Sequence, residues 1–258
     1  MKSMNYTTLI FDAFDTVIHI NTSKLPVLRI EGEEVPTTAP AAFAAYEELF
    51  GKTDFDVFYR AFSQSFKQVS ALRRIDLKEI LSQQRFKIML EMLGRSESEI
   101  TDAAAEAITR AHMRLLQESF EVRPETIQVL DWAKKRYRTG MISNFAYAPA
   151  LYESLDRFGI RSAFDTIVVS AEVGWCKPHR IIFDHTLKTM GIRASDALFV
   201  GDQLYVDVFG AVSSGLHVAW IETERQDWSI SGSDRPDCQP TYTVPSISGI
   251  IDLLEKTA

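Results

Sequence analysis

The 258-residue sequence predicts a doubly wound α/β fold, in which a Rossmann-like parallel sheet carries an all-helical domain inserted after its first strand. Two observations lead to this prediction. Five short apolar runs alternate with helical patterns, as expected for parallel strands that are covered on both faces. The first run is also separated from the second by residues 12–138, most of which show helical periodicity.

The strands are predicted from runs of apolar residues: YTTLIF (6–11), TGMIS (139–143), TIVVS (166–170), ALFVG (197–201) and HVAWI (217–221). The predicted helices between them are ETIQVLDWAKKRY before the second strand, APALYESLDRFG after it, RIIFDHTLKTMG before the fourth and YVDVFGAVSSG before the fifth. Two of these helices run into Gly159 and Gly191, and glycine is the residue that most often ends a helix. This alternation predicts the parallel sheet.

The inserted segment begins with SKLPVLRIEGEEVPTTAP, whose prolines and glycine predict a loop or a small hairpin. Four predicted helices follow: AAFAAYEELFG, DFDVFYRAFSQSFKQVSAL, DLKEILSQQRFKIMLEMLG and SESEITDAAAEAITRAHMRLLQESF. The last opens with Ser96 and Glu99 at the spacing of a capping box. We therefore predict a helical cap domain over residues 21–118 and an α/β core over residues 1–20 and 119–258.

An aromatic stripe on the second predicted helix of the cap is expected to pack in its core or at its surface: Phe55, Phe58, Tyr59, Phe62 and Phe66. The same stripe could form a dimer face, so a homodimer stays open. Arg73 and Arg74 are expected at a solvated helix end.

Composition narrows the functional classes. A net charge of −7 argues against a general affinity for nucleic acid or for an anionic membrane. The two cysteines, Cys176 and Cys238, are too few for a disulfide framework. The N-terminal apolar run is broken by Asp12 and Asp15, unlike a signal peptide, and no run is long enough to span a bilayer. We expect a soluble, cytoplasmic protein.

Polar residues follow the predicted strands at one edge: Asp12 after the first, Ser143 and Asn144 after the second, Lys177 in the loop after the third, and Asp202 after the fourth with Asp207 one loop later. A single carboxylate in this place would be most simply a helix cap. Because ligands bind at the carboxyl ends of strands in open α/β sheets, the whole set predicts a site in one cleft between the core and the cap.

The charges of this set favour a metal ion. Asp12, Asp202 and Asp207 bring three negative charges, and Lys177 returns one positive charge. Like charges about 4 Å apart repel by roughly 4 kcal/mol at an effective dielectric constant of about 20. Clustered carboxylates therefore need either raised pKa values or a divalent cation, and the cation is the simpler answer if the substrate is also an anion.

The chain resembles the haloacid dehalogenase superfamily, and within it the subfamily with a helical cap after the first strand. The matches cover four motifs: Asp12 with Thr16, Ser143, Lys177 with Pro178, and Gly201-Asp202 with Asp207. Their order and the position of the insertion make the resemblance specific.

The resemblance implies a role for each residue. Asp12 would be the nucleophile that forms a covalent aspartyl ester, and Lys177 would neutralise Asp12 and the substrate anion. Ser143, Thr16 and Asn144 would bind a small phosphorylated metabolite. A Mg²⁺ ion would be held by Asp12, Asp202, Asp207 and the main-chain carbonyl of Phe14, an all-oxygen set that suits this metal.

Phe14 departs from the phosphatase pattern. Phosphatases of the superfamily usually carry at this position an aspartate that protonates the leaving group, whereas its 2-haloacid dehalogenases carry a tyrosine and use no metal. Those dehalogenases lack the pair that Asp202 and Asp207 form here. Three hypotheses follow: a Mg²⁺-dependent phosphatase, a 2-haloacid dehalogenase, or a binding protein without activity. Asp15 could replace the missing acid, but on an extended segment it would point to the other face.

Overall fold

A computed structural model describes residues 6–30, 32–222 and 238–257. The chain divides into two compact units, one formed by Met1–His19 with Glu121–Ala258 and the other by Ile20–Phe120. The predicted core and cap also include residues 1–5, 31, 223–237 and 258, which lie outside the described residues. Within the described ranges, no helix combines the length and the apolar character that crossing a bilayer requires.

The strands of the described residues are β1 (Thr8–Asp12), β2 (His19–Ile20), β3 (Val27–Ile30), β4 (Glu33–Pro36), β5 (Phe120–Glu121), β6 (Arg138–Ser143), β7 (Thr166–Val169), β8 (Ala197–Gly201), β9 (His217–Ile221) and β10 (Tyr242–Val244). The α-helices are α1 (Ala39–Phe50), α2 (Phe55–Asp76), α3 (Ser82–Met92), α4 (Asp102–Glu118), α5 (Pro124–Lys134), α6 (Ala148–Arg157), α7 (Ser170–Val173), α8 (Arg180–Met190), α9 (Gly210–Ser213) and α10 (Gly249–Thr257).

The first unit contains a parallel sheet with the strand order β10-β9-β8-β1-β6-β7. This confirms the doubly wound fold that the sequence predicts. Strand β1 lies in the interior of the sheet between β6 and β8, and all five of its residues are buried. The central position explains why Asp12 follows a continuous apolar run: β1 has no solvent-facing side.

The sheet contains a sixth strand, β10, which the five predicted strands leave out. This strand has only three residues, and only Val244 is buried. An edge strand of this length has too little apolar character to be recognised by its pattern. Strand β10 is the outermost strand of the sheet, next to β9, and the chain continues from it to α10.

The second unit consists of α1 to α4 and a short antiparallel hairpin of β3 and β4, as the sequence predicts for the proline-rich lead-in. Phe58 and Phe62 of the aromatic stripe lie in its buried core, together with Phe86 and Ile108. Phe66 at the end of the stripe is 57% exposed. Most of the stripe is therefore internal packing of this unit.

Two predicted helix starts are wrong. Helix α2 continues to Asp76 and ends at Leu77, which has the left-handed φ of 60°, so that α3 begins only at Ser82. Arg73 lies inside the last turn of α2 and forms an ion pair with Glu79 at 2.6 Å. The intrinsic helix propensity of the charged residues in this stretch is outweighed by this turn and its ion pair.

Helix α4 begins later than the Ser96 capping box predicts. Ser96 donates its main-chain amide to the Glu99 carboxylate at 2.8 Å, so the two residues close a separate turn. The side chain of Thr101 accepts the amide of Ala104 at 3.1 Å and is the actual N-cap. The predicted bond between Ser96 and Glu99 is therefore present, but it lies before α4 and does not mark the start of this helix.

His112 should make this protein less stable in mild acid. Its ring is buried in contact with Phe62 and Phe86, and Nδ1 lies 2.6 Å from the Thr38 hydroxyl. Burial, together with the nearby positive charge of Arg85, lowers the pKa of His112 to about 3. The unfolded chain therefore takes up a proton at His112 below about pH 6.5, whereas the folded chain does so only near pH 3. The free energy of unfolding decreases as the pH falls through this range.

The free energy of unfolding should fall by about 2 kcal/mol between pH 7 and pH 5 through this residue alone. Urea titrations at the two pH values measure it. His112→Gln should be less stable at pH 7 and should lose this part of the pH dependence, whereas His185→Gln, at an exposed position, should keep it. An unchanged pH dependence in His112→Gln would contradict the prediction.

Candidate active site

Four charged side chains meet at the carboxyl edge of the sheet. Asp12 is the last residue of β1, and Asp202 directly follows β8, its neighbour in the sheet. The Lys177 ammonium donates to Oδ1 of Asp12 and, at 2.8 Å, to Oδ1 of Asp207. One carboxylate oxygen from each of Asp12, Asp202 and Asp207 lies within 4.8 Å of the other two. The set that the sequence predicts from strand ends thus forms one buried cluster.

Asp207 is positioned by a turn that differs from the predicted α-helix. Residues Leu204–Phe209 form a π-helix, which is a form that often occurs at functional sites. The main-chain amide of Gln203 donates to the Asp207 carboxylate at 3.1 Å and holds it over the end of the strand. A Cβ at Gly201 would lie 2.6 Å from the Asp207 carboxyl group. Glycine at this position is therefore what allows Asp207 to approach the site.

Asp202 is held on both sides. The Thr16 hydroxyl donates to Asp202 Oδ1 at 3.4 Å, and the Trp220 indole donates to the Asp202 carbonyl at 2.9 Å. Thr16, predicted as a substrate-binding residue, is fully buried and is engaged with Asp202. Trp220 was not predicted as a site residue, although its position in β9, the strand next to β8, is a signal for a contact at this edge.

Asn144 contacts Lys177 rather than an open site. Its amide nitrogen donates to the Lys177 carbonyl at 2.9 Å, and the Lys177 amide donates to the Asn144 carbonyl oxygen at 2.7 Å. This paired bond joins the loop after β6 to the loop that carries Lys177. Asn144 was predicted to bind substrate, but in the structure both of its polar atoms hold the lysine in place.

Burial and crowding change the ionisation of the cluster. Burial, together with the negative charges of Asp12 and Asp207, raises the pKa of Asp202 to about 8. Burial also raises the pKa of Asp12, while the Lys177 ammonium opposes this shift. Burial alone would lower the pKa of Lys177, but the carboxylates of Asp12 and Asp207 outweigh it and raise that pKa. The positive charge of Lys177 therefore does not compensate the negative charges of all three carboxylates.

The donor set fits a hard divalent cation. Asp12, Asp202 and Asp207 offer only carboxylate oxygens, and all three residues are buried. Lys177 supplies one positive charge, which leaves the ionised cluster with a net charge of −2. A divalent cation would cancel this charge and would lower the raised pKa values of Asp12 and Asp202.

Two buried polar atoms of the site have no hydrogen-bond partner among the described residues. They are Oδ2 of Asp12 and the hydroxyl oxygen of Ser143. Ser143 is the last residue of β6, whose Ile142 lies opposite Asp12 in the parallel register. Leaving a buried polar group without a partner costs roughly 1–3 kcal/mol, so such atoms point to a ligand that completes them.

The segment after Asp12 does not run as predicted. Phe14 is half-buried and packs against Phe145, with ring centroids 4.9 Å apart. Asp15 has the left-handed φ of 65°, so the expectation of an extended segment is wrong and the argument that Asp15 points to the other face no longer holds. Asp15 lines a cavity of about 510 Å³ together with Thr16, His19, Arg123, Glu125, Asp202, Ile221, Pro245, Ser246, Ile247 and Ser248.

Comparison with known proteins gives the family. Residues 6–215 match the haloacid dehalogenase-like hydrolases, and the chain belongs to this family. It is a hydrolase with phosphatase relatives. The chain is 29% identical to the pyrimidine 5′-nucleotidase YjjG of Escherichia coli over 167 residues, which make up 63% of this chain and 71% of that protein.

A second relative is the glyceraldehyde 3-phosphate phosphatase of Methanothermobacter thermautotrophicus, 35% identical over 99 residues, or 38% of this chain and 43% of that enzyme. The match thus spans less than half the length of that phosphatase. Among solved structures, the 2-haloacid dehalogenase of Pseudomonas syringae superposes with a TM-score of 0.67 at 19% identity, covering 98% of this chain and all of that one. At this identity the likeness concerns the fold alone.

Proposed function

We propose that this hydrolase is a Mg²⁺-dependent phosphatase of small phosphorylated metabolites, with Asp12 as its nucleophile. The observation that carries the proposal is the pair of buried, unsatisfied oxygens of Asp12 and Ser143 beside the acidic cluster. A phosphoryl group brings several acceptor oxygens and a charge of about −1.5 to −2. Such a group would accept from Ser143, and a bound cation would offset part of the combined negative charge of the phosphoryl group and the cluster.

The chain's own residues supply the steps of the reaction. A carboxylate oxygen of Asp12 attacks phosphorus, the bond from phosphorus to the leaving oxygen breaks, and its electron pair stays on that oxygen. Water then attacks the aspartyl phosphate, releases inorganic phosphate and restores the Asp12 carboxylate. Lys177 favours the ionised form of Asp12 through the direct contact of its ammonium group, and the Ser143 hydroxyl donates to a phosphoryl oxygen.

Asp12, Asp202, Asp207 and the main-chain carbonyl of Phe14 would hold the Mg²⁺ ion. When bound, the ion supplies positive charge at the transferring phosphoryl group. Thr16 and Trp220 contribute by holding Asp202 in place, and Asn144 contributes by holding Lys177.

A 2-haloacid dehalogenase is the second candidate, and Phe14 is the observation that favours it. Halide leaves as a stable anion, so a dehalogenase needs no acid where Phe14 stands. The buried trio of Asp12, Asp202 and Asp207 argues against this candidate, because a metal-free reaction gives no reason to crowd three carboxylates.

Mg²⁺ binding tests the proposal. Calorimetry should detect a Mg²⁺ site in the wild type, and Asp202→Asn should weaken it at least about tenfold because a ligand and its charge are both lost. Asp184→Asn is the matched control, since Asp184 is a carboxylate that pairs with Arg180 away from the cluster. The wild type should hydrolyse p-nitrophenyl phosphate with Mg²⁺ and lose this activity in EDTA.

Two results would contradict the proposal. Absence of Mg²⁺ binding combined with turnover of chloroacetate in EDTA would establish the dehalogenase instead. Equal Mg²⁺ affinities of the wild type and Asp202→Asn would show that the cation binds elsewhere.

A further inference from the structure

Two aromatic side chains occupy equivalent places after two neighbouring strands. Phe14 comes two residues after Asp12, at the end of β1, and Phe145 comes two residues after Ser143, at the end of β6. Strands β1 and β6 pair in parallel, so both rings lie at the carboxyl edge that carries the site. Their centroids are 4.9 Å apart with an angle of 44° between the ring planes, and both side chains are half-buried. We call Phe14 and Phe145 the aromatic pair.

Hydrogen bonds donated by main-chain amides fix the two loops that carry the aromatic pair. The amide of Asp15 donates to the Ile18 carbonyl at 2.7 Å, which closes the turn directly after Phe14. The amide of Phe145 donates to the hydroxyl of the buried Ser170 at 2.8 Å. Because these bonds use main-chain atoms of the two loops, the rings are preorganised and a change of either side chain leaves the loops tied.

Within the aromatic pair, Phe14 stands at the position where, by the family resemblance, phosphatases carry their proton donor, and Phe145 packs against it. A phenyl ring cannot donate a proton, so the leaving oxygen must depart as an anion that is stable by itself. A ring does offer a flat apolar face, and aromatic contacts add roughly 0.5–1.5 kcal/mol beyond the burial of area. The two properties together select for one kind of leaving group, which is planar and delocalises negative charge.

We propose that the aromatic pair is the leaving-group subsite, and that the substrates are phosphates whose leaving oxygen is bonded to a planar sp² carbon: aryl, enol or acyl phosphates. This inference rests on the proposed phosphatase function and names the substrate class of the same site. When the bond from phosphorus to oxygen breaks, its electron pair delocalises into the ring, double bond or carbonyl group. The leaving group therefore departs as a phenolate, enolate or carboxylate without taking up a proton.

Binding of phosphonates tests the subsite without any catalytic step. Phenylphosphonate and cyclohexylphosphonate have the same charge and similar size, but only the first is planar and aromatic. Calorimetry with saturating Mg²⁺ should give an affinity for phenylphosphonate about three- to tenfold higher in the wild type. Phe145→Leu should remove this preference while it keeps the affinity for cyclohexylphosphonate.

Phe158→Leu is the matched control. Phe158 is a half-buried aromatic residue that follows the last residue of α6, at the end of the helix remote from the carboxyl edge of β6. This variant should keep the full preference for phenylphosphonate. Because each preference is a ratio measured in one protein, a general loss of stability does not imitate the result.

Equal wild-type affinities for the two phosphonates would overturn the inference and leave the phosphatase function standing. A full preference in Phe145→Leu would also overturn it. If neither phosphonate bound the wild type with Mg²⁺ present, the proposed function itself would fail. The wild-type comparison decides the question even if Phe145→Leu does not fold.

Discussion

Replacing Asp12 by asparagine should lower the turnover of phosphate esters by at least about 10,000-fold. The amide has nearly the same shape as the carboxylate but is a poor nucleophile, so the covalent route is closed. Residual positioning by Lys177 and Ser143 cannot replace it. Steady-state kinetics with p-nitrophenyl phosphate at saturating Mg²⁺ measure the loss.

The same variant should fold at least as well as the wild type in metal-free buffer. Burial already raises the pKa of Asp12, which means that the folded protein disfavours its charged form. Lys177 keeps its contact with Asp207 at 2.8 Å after Asp12 loses its charge. The free energy of unfolding, measured with urea, should therefore not decrease, so that loss of activity is separated from loss of structure.

Asp184→Asn is again the control. It should leave the turnover of p-nitrophenyl phosphate and the free energy of unfolding nearly unchanged. Activity of Asp12→Asn within tenfold of the wild type would remove Asp12 from the role of nucleophile. A variant that unfolds would instead show that the Asp12 contact with Lys177 is mainly structural.

Introducing an acid at Phe14 should restore part of the missing catalysis on poor leaving groups. General acid catalysis contributes roughly 100- to 10,000-fold, or about 3–5 kcal/mol, when its geometry is ideal. Wild type should therefore hydrolyse aryl and acyl phosphates far better than alkyl phosphates. Phe14→Asp should accelerate alkyl phosphates and change aryl phosphates little, because an aryl leaving group needs no proton.

The gain should be less than the full range. The new carboxylate would stand beside Asp12, Asp202 and Asp207, and a fourth negative charge raises the pKa of the group. The substitution also removes the contact between Phe14 and Phe145, which contributes roughly 0.5–1.5 kcal/mol to stability. The first effect changes the acidity of the new carboxyl group, and the second disturbs its position.

Phe14→Asn is the matched control because it has the same size as aspartate but no acidic proton. The measurement is the rate as a function of the leaving-group pKa in the wild type and both variants. A steep dependence that flattens only in Phe14→Asp supports the proposal. Rapid hydrolysis of alkyl phosphates by the wild type, unchanged in Phe14→Asp, would show that another residue supplies the proton, and Asp15 in the neighbouring cavity would be tested first.

The sequence by itself determined the architecture and the ends of the central strands. Apolar runs that are covered on both faces identify β1, β6, β7, β8 and β9, because a strand in the middle of a sheet has no polar side. The residues that follow such runs must come to one edge. Asp12, Lys177, Asp202 and Asp207 could therefore be placed together from their positions in the chain.

Only the tertiary structure decided how these residues are held. Asn144 bonds to Lys177, which is 33 residues away, and Trp220 bonds to the carbonyl of Asp202 from an adjacent strand. No local pattern encodes such contacts, because they depend on which loops become neighbours after folding. The same reason explains the aromatic pair, whose two members are separated in sequence by the whole of the helical unit.

The backbone geometry of the short segments was also decided by the folded protein. The left-handed φ of Asp15, the π-helix that carries Asp207 and the three-residue strand β10 were not predicted from the sequence. Local propensities differ by about 1 kcal/mol or less per residue, and tertiary contacts exceed them easily. Sequence therefore determines which side chains reach the site, and tertiary packing determines which of their atoms remain available for chemistry.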